Sequence, residues 1–236
     1  MTWSILARDP ATGELGAAVA TRFFAVGALC LRVEGGVGAV ATQALVNPML
    51  APRALDRLRG GASAEEAVAT VVAADPGAAA RQLHALDAGG RSARHTGADC
   101  LGWAGHVAGT EVSVAGNLLA GPRVVEATLE SFLGSTGPMA ERLMAALEAG
   151  EAAGGDKRGK QSAALVVASR DPYPDLDLRA DDHPDPLAEL RRLHAVAKEH
   201  FVHYRRFLAG ADHPGVFDRA VINAAIARAT GGAAGG

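Results

Sequence analysis

The chain has 236 residues, 49% of them hydrophobic and 21% charged, and a formal net charge of −3. That is the composition of a globular protein with a sizeable core, and without a basic block it excludes nucleic acid held through phosphates. Cys30 and Cys100 stand apart with no CxxC pair, and the apolar stretch Trp3–Ala7 ends at once in Arg8 and Asp9, so the sequence predicts no disulfide framework, signal peptide or membrane span, and a soluble cytoplasmic protein.

In chain order, Trp3–Arg8 and Glu14–Arg22 flank DPATGE, whose Asp9, Pro10 and Gly13 favour turns, and they predict a β-hairpin. Leu29–Val33 and Val37–Thr42 flank EGG and predict a second hairpin. Both faces of these strands are apolar or small, the pattern of strands covered on two sides. Asn47-Pro48 starts a predicted helix over Pro48–Arg59. Ser63 with Glu66 forms a capping box for another over Ala64–Ala74, which Asp75-Pro76 ends.

RQLHALD-AGG-RSARHTG predicts a third hairpin turning at Gly89–Gly90, and Glu111–Ala115 a strand broken at Gly116. Helices follow over Pro122–Leu133 and Met139–Gly150, then a strand over Gln161–Ser169. Strands in antiparallel pairs alternating with paired helices exclude a doubly wound parallel sheet. The expected fold is α+β, a four-layer αββα sandwich of two antiparallel sheets between helical layers. The Pro- and Asp-rich DPYPDLDLRADDHPDP predicts a loop. Beyond it come a long helix over Leu187–Leu208, a shorter one over Val216–Thr230 and a frayed GGAAGG tail. The expected organisation is a domain over residues 1–180 with a helical extension over 181–236.

Thr2 is the first candidate for chemistry. Once Met1 is removed, a terminal threonine carries nucleophile and base together: Oγ attacks and the α-amino group takes its proton. The unperturbed amine pKa of roughly 7.7–8 suits that role. Met-Thr is also a common start whose only meaning is a removable initiator. Arg22 closes the second strand, where its guanidinium would stand near Thr2 and either depress the amine pKa or bind a substrate carboxylate. Thr42 and Gln43 end the strand GAVATQ as site-lining or helix-capping residues.

Asn117, in GNLLAG, is a candidate oxyanion donor, a contact worth roughly 2.7–4 kcal/mol in comparable sites, or a turn residue. The loop GGDKRGKQSAAL places Asp156, Arg158, Gln161 and Ser162 ahead of an apolar strand. It lacks GxxxxGK[ST], and a strand follows where a phosphate loop needs a helix. Paired charges on such a loop suit a carboxylate or amide substrate. The histidines His183, His194, His200, His203 and His213 raise a metal site, but there is no HExxH, and only His200 and His203 share a helix face. A polar helix and a capped loop at Asp185-Pro186 explain them more simply; no metal is expected.

Taken together, TWSILARD, ATRFFAVGA, GVGAVATQALVNP, GNLLAG and GGDKRGKQSAAL resemble one uncharacterised bacterial family grouped with the N-terminal nucleophile (Ntn) hydrolases, in order over about residues 2–185. Such a chain often ends in a DDHPDP stretch and a helix, as here. The resemblance implies an αββα sandwich with Thr2 at the nucleophile position. It places Asn117 in the family's Gly-Asn motif and Asp156, Arg158, Gln161 and Ser162 in its Gly-Gly-Asp loop. Arg22 corresponds to a basic or polar site group.

The expected function is an amidohydrolase cleaving a small amide, including one that bears a carboxylate. Thr2, Asn117 and Arg22 would be catalytic, and Thr42, Gln43, Asp156, Arg158, Gln161 and Ser162 substrate-binding. No cofactor is needed, and a homodimer is expected. The alternatives are a non-catalytic small-molecule-binding protein on the same fold and a metal-dependent hydrolase built on the C-terminal His and Asp residues.

Overall fold

The computed structural model describes residues 2–231. The initiator Met1, whose removal the nucleophile reading requires, and tail residues 232–236 lie outside that range. β1 (Thr2–Arg8) turns into β2 (Leu15–Thr21), with Asp9 Oδ1 accepting from the amides of Ala11 and Thr12 in an Asx turn. α1 (Val26–Cys30), β3 (Leu31–Glu34) and β4 (Gly38–Ala44) follow, then α2 (Leu50–Arg59) and α3 (Ala64–Ala73). The expected capping box opens α3: Ser63 Oγ accepts from Glu66 N–H at 3.2 Å, and the Glu66 carboxylate accepts from Ser63 N–H at 2.8 Å.

β5 (Arg81–Asp87), β6 (Ser92–Thr96), β7 (Trp103–Gly109) and β8 (Val112–Leu119) come next, followed by α4 (Arg123–Gly134) and α5 (Met139–Ala152). β9 (Ser162–Ala168), β10 (Leu176–Ala180), α6 (Pro186–Glu199), α7 (Phe201–Tyr204) and α8 (Arg219–Thr230) complete the order. The strands form a six-stranded sheet, β10-β9-β2-β1-β8-β7, and a four-stranded sheet, β3-β4-β5-β6. Every strand pair is antiparallel. The fold is mixed α+β.

Period-two alternation sorts the strand residues by face. Val40 of β4 and Leu83 and Ala85 of β5 pack with Leu50, Leu55 and Leu58 of α2 and Val68 and Val71 of α3. Their neighbours Ala39, Ala41 and Leu86 join a second cluster with Leu6, Leu15, Ala17 and Val19 of the larger sheet. The two sheets therefore share a core. α4 and α5 pack on β1, β2, β8 and β9, where Gly16 of β2 meets Leu143 and Met139 and Trp3 of β1 meets Gly150. Expected strands covered on both sides are found in β1 and β2, whose residues from Thr2 to Ala7 and Leu15 to Thr21 are all buried.

Some elements depart from expectation. β10 lies inside the stretch read as loop. Its alternation, Leu176, Leu178 and Ala180 buried and Asp177 and Arg179 exposed, marks a short edge strand that the surrounding Pro and Asp residues obscured. β8 runs through Gly116 rather than stopping there, and β7 pairs with it. The long helix expected over Leu187–Leu208 ends at Glu199; His200, at φ −143°, separates α6 from α7. α8 starts at Arg219, where the Asp218 carboxylate caps the amides of Ala220 and Val221. α1 occupies residues expected to begin a strand.

The chain divides into two units, Met1–Leu190 and Arg191–Gly236, so the boundary falls within α6. The first unit holds both sheets and α1–α5. Among the described residues, no helix is long and apolar enough to cross a membrane.

Gly116 is a glycine of contact rather than of conformation. A Cβ there would lie 2.3 Å from Leu119 Cδ1 and 3.2 Å from the Thr2 carbonyl oxygen. Gly116→Ala is expected to destabilise the chain by about 1–3 kcal/mol through overpacking. Urea unfolding measures it, and a loss below about 0.5 kcal/mol would show that the contact yields.

Candidate active site

β1 runs between β2 and β8, so its first residue faces both neighbours: Thr2 pairs with Thr21 on one side and Asn117 on the other. Thr2 Oγ1 lies 3.1 Å from Thr21 Oγ1. All three side chains are buried, and all three line a cavity of about 390 Å³. Gln43, at the end of β4, lines it from the opposite sheet. Apolar walls come from Val26, Leu29, Val46 and Leu118, with the exposed side chains of Phe23, Leu45 and Leu101 among them. Asp99 and Arg158 supply the charges.

Two backbone irregularities frame the cavity. Ala44 follows Gln43 at φ 71°, and Leu118 follows Asn117 at φ 57°. Each is a non-glycine residue in left-handed conformation, a strain of roughly 1–2 kcal/mol. Each turns the chain away just after a polar residue has been presented. Such strain gathers at functional sites.

The cavity also holds two thiols, Cys30 and Cys100. Burial pushes the Cys30 thiol up to about 12, and desolvation raises Cys100, whose Sγ donates to Arg81 O at 3.3 Å. Both stay protonated at neutral pH and are poor nucleophiles. Among the lining residues, the hydroxyls are those of Thr2 and Thr21.

The sequence-predicted residues separate into two groups. Thr2, Gln43, Asn117 and Arg158 line the cavity. Arg22, Thr42, Asp156, Gln161 and Ser162 stand behind it and shape it. Thr21, not Arg22, pairs with Thr2, because the hairpin register that sets Arg8 opposite Leu15 brings Thr21 opposite Thr2. The Arg22 guanidinium donates to Arg158 O at 2.8 Å. The buried Asp156 carboxylate accepts from the amides of Arg22 and Arg158 at 2.9 and 2.8 Å and pairs with the Arg158 guanidinium at 3.1 Å. Ser162 accepts from Val26 N–H at 3.2 Å and donates to Phe23 O, so it holds the turn that bears two wall residues. Gln161 N–H donates to Thr21 O at 2.9 Å and its Nε2 to Asp182 Oδ1 at 3.1 Å. Thr42 Oγ1 donates to Asn47 O at 3.3 Å, bracing the next turn.

Ser4, Gln82, His84 and Ser113 complete the site beneath the cavity. Ser4 Oγ lies 2.8 Å from both Gln43 Oε1 and His84 Nε2. His84 Nδ1 lies 2.9 Å from Ser113 Oγ. Gln82 Oε1 accepts from Gln43 Nε2 at 2.7 Å and from Asn117 Nδ2 at 3.1 Å. The sequence carried a signal for these residues: Thr2 and Ser4, Gln82 and His84, and Ser113 and Asn117 are polar positions at period two within apolar strands.

Residues 2–190 match the model of a family of unknown function, DUF1028. The chain belongs to that family. Protein SPO2555 from Silicibacter pomeroyi, of the same DUF1028 family and known from a crystal structure, is 35% identical. It superposes with a TM-score of 0.85 over 92% of this chain and 99% of that one. Anbu (ancestral beta-subunit) from Yersinia bercovieri aligns over 88% of this chain and 98% of that one. At 13% identity and a TM-score of 0.38, nothing about this chain follows from that likeness. Comparison with curated proteins gives no match. The match of this family ends at Leu190, the last residue of the first unit.

Two of the histidines beyond Asp182 make local contacts. His183 Nδ1 accepts from Asp185 N–H at 3.0 Å, and the rings of His200 and Tyr204 stack at 5.8 Å. Among the described residues, no group of three or more His, Cys, Asp or Glu is disposed to hold a metal ion.

Burial, followed by the nearby His106, lowers the His84 pKa to about 3, so its ring is neutral in the fold. In the unfolded chain it titrates near 6.5. The unfolded state therefore binds the extra proton, and stability present above pH ~6.5 falls as the pH drops toward 3. The expected contribution is about 1.4 kcal/mol per pH unit over that window. Urea unfolding at successive pH values measures it, with His84→Gln losing this share of the slope.

Proposed function

We propose that the chain is an Ntn-type amidohydrolase on a four-layer αββα sandwich, cleaving a small amide through Thr2. The observation that carries this reading is Thr2 at the head of a central strand, lining a cavity beside buried Thr21 and Asn117. Removal of Met1 frees the α-amino group to act as base. Oγ1 attacks the amide carbonyl carbon, and its proton passes to the amine and then to the leaving nitrogen. An acyl-threonine ester remains, and water, deprotonated by the same amine, hydrolyses it to a carboxylic acid.

Asn117 Nδ2 is suited to the developing oxyanion, and this role is supported by its burial on the cavity wall. The apolar walls suit a substrate with a hydrophobic body. Arg158 is the group placed to meet a substrate carboxylate. Arg22 and Asp156 support Arg158 rather than meeting the substrate, and Ser162 and Gln161 hold the turns beside it.

The expected outcomes are a mature mass lacking Met1, turnover in a panel of small amides and its loss in Thr2→Ala. The kcat/KM profile should rise with pH as the amine deprotonates, with an apparent pKa near 8 or below. Full retention of Met1 in active protein, by intact-mass spectrometry, overturns the mechanism. A ligand bound equally by Met1-retained protein with no turnover favours a binding protein instead.

A further inference from the structure

The buried polar chain beneath the cavity has only one self-consistent set of hydrogen-bond directions. It starts at Gln82 Nε2, which lies 2.9 Å from Gly116 O, 3.2 Å from Gly105 O and 3.0 Å from Thr96 Oγ1. Backbone carbonyls only accept, so the Gln82 nitrogen must face them. Its Oε1 then faces Gln43 and Asn117, and both must present an amide N–H to it.

Gln43 is thereby oriented with Oε1 toward Ser4, which must donate its single hydroxyl hydrogen there. Ser4 Oγ can then only accept from His84, which requires the Nε2–H tautomer. His84 Nδ1 accordingly accepts from the Ser113 hydroxyl. One carbonyl pair on β7 and β8 thus sets every donor direction across β1, β4, β5 and β8.

We infer that Gln82 is a positioning residue which fixes the Asn117 amide with one Nδ2 hydrogen on Gln82 Oε1, so that the second Nδ2 hydrogen is the donor left for the site. This rests on the reading of Thr2 as the nucleophile and Asn117 as the oxyanion donor. An Asn117 flipped by 180° would set its carbonyl oxygen against Gln82 Oε1, two acceptors face to face, in a site closed to water. Gln82 touches no substrate and acts through Asn117. Ser4, His84 and Ser113 lock the Gln43 half of the same arrangement.

Two measurements on the full chain test this. In wild type, long-range 1H–15N spectra of labelled histidine, assigned with His84→Gln, should show the His84 ring protonated at Nε2 and bare at Nδ1. The opposite tautomer reverses the chain and overturns the inference, whether or not the chain is catalytic. The second uses a small β-lactone, which acylates Thr2 through a tetrahedral oxyanion and leaves an adduct that intact mass and peptide mapping follow. Gln82→Met should slow acylation roughly 10- to 100-fold. Gln82→Met combined with Asn117→Ala should be no slower than Asn117→Ala alone, because Gln82 acts only through that amide. Additive losses would assign Gln82 a general structural role and overturn the inference. Absence of any Thr2 adduct in Met1-free wild type would count against Thr2 as nucleophile, leaving the tautomer to decide the network.

Discussion

A polar side chain sealed between two sheets has no water to turn to, so its partner must come from the facing strand. Leaving one such group unpaired costs roughly 1–3 kcal/mol. Ser4, Gln43, Gln82, His84, Ser113 and Asn117 meet that demand with one another, in strands drawn from both sheets. The requirement also fixes register. A slip of one residue in β5 would turn Gln82 and His84 toward α2 and α3 and bring Leu83 into the polar row. The polar row and the apolar clusters beside it therefore specify the same alignment, one by satisfaction of donors and acceptors and the other by burial of hydrocarbon.

That alignment is what places Thr2. β1 is flanked by β2 and β8, and the register of those pairs ends at Thr2–Thr21 and Thr2–Asn117. The hydroxyl stands where the sheet stops and the cavity begins, which joins a rigid support to an open face. The left-handed residues Ala44 and Leu118 turn their strands aside at the same level. The loop carrying Asp156 closes another side by binding the backbone of Arg22 and Arg158. Rigid strands below and braced loops above are the combination that holds a reacting group in place.

Much of this was legible in the order of residues. The hairpins at DPATGE, EGG and AGG, the Ser63 capping box and the paired helices each follow from turn chemistry, capping or period, all of which act within a few residues. Thr2, Gln43, Asn117 and Arg158 were legible as polar residues ending apolar strands or opening a loop. β10 was hidden because its five residues sit among prolines and aspartates, and the burial of Leu176, Leu178 and Ala180 comes only from its neighbour β9. His84 gives no local signal, because a histidine in an apolar strand has no partner among its neighbours in sequence. Its partners lie 80 residues away in Ser4 and 29 away in Ser113.

The sequence by itself determined the local elements, their alternation and the place of a hydroxyl residue, Thr2, at the head of the first strand, because period, turn residues and position are properties of neighbouring residues. Tertiary structure decided that Thr21 rather than Arg22 stands opposite Thr2, that Arg22, Thr42, Asp156, Gln161 and Ser162 brace the cavity instead of lining it, and that His84 is neutral. Those outcomes depend on which strand lies beside which and on how completely water is excluded between the sheets, and neither is set until the whole chain has packed.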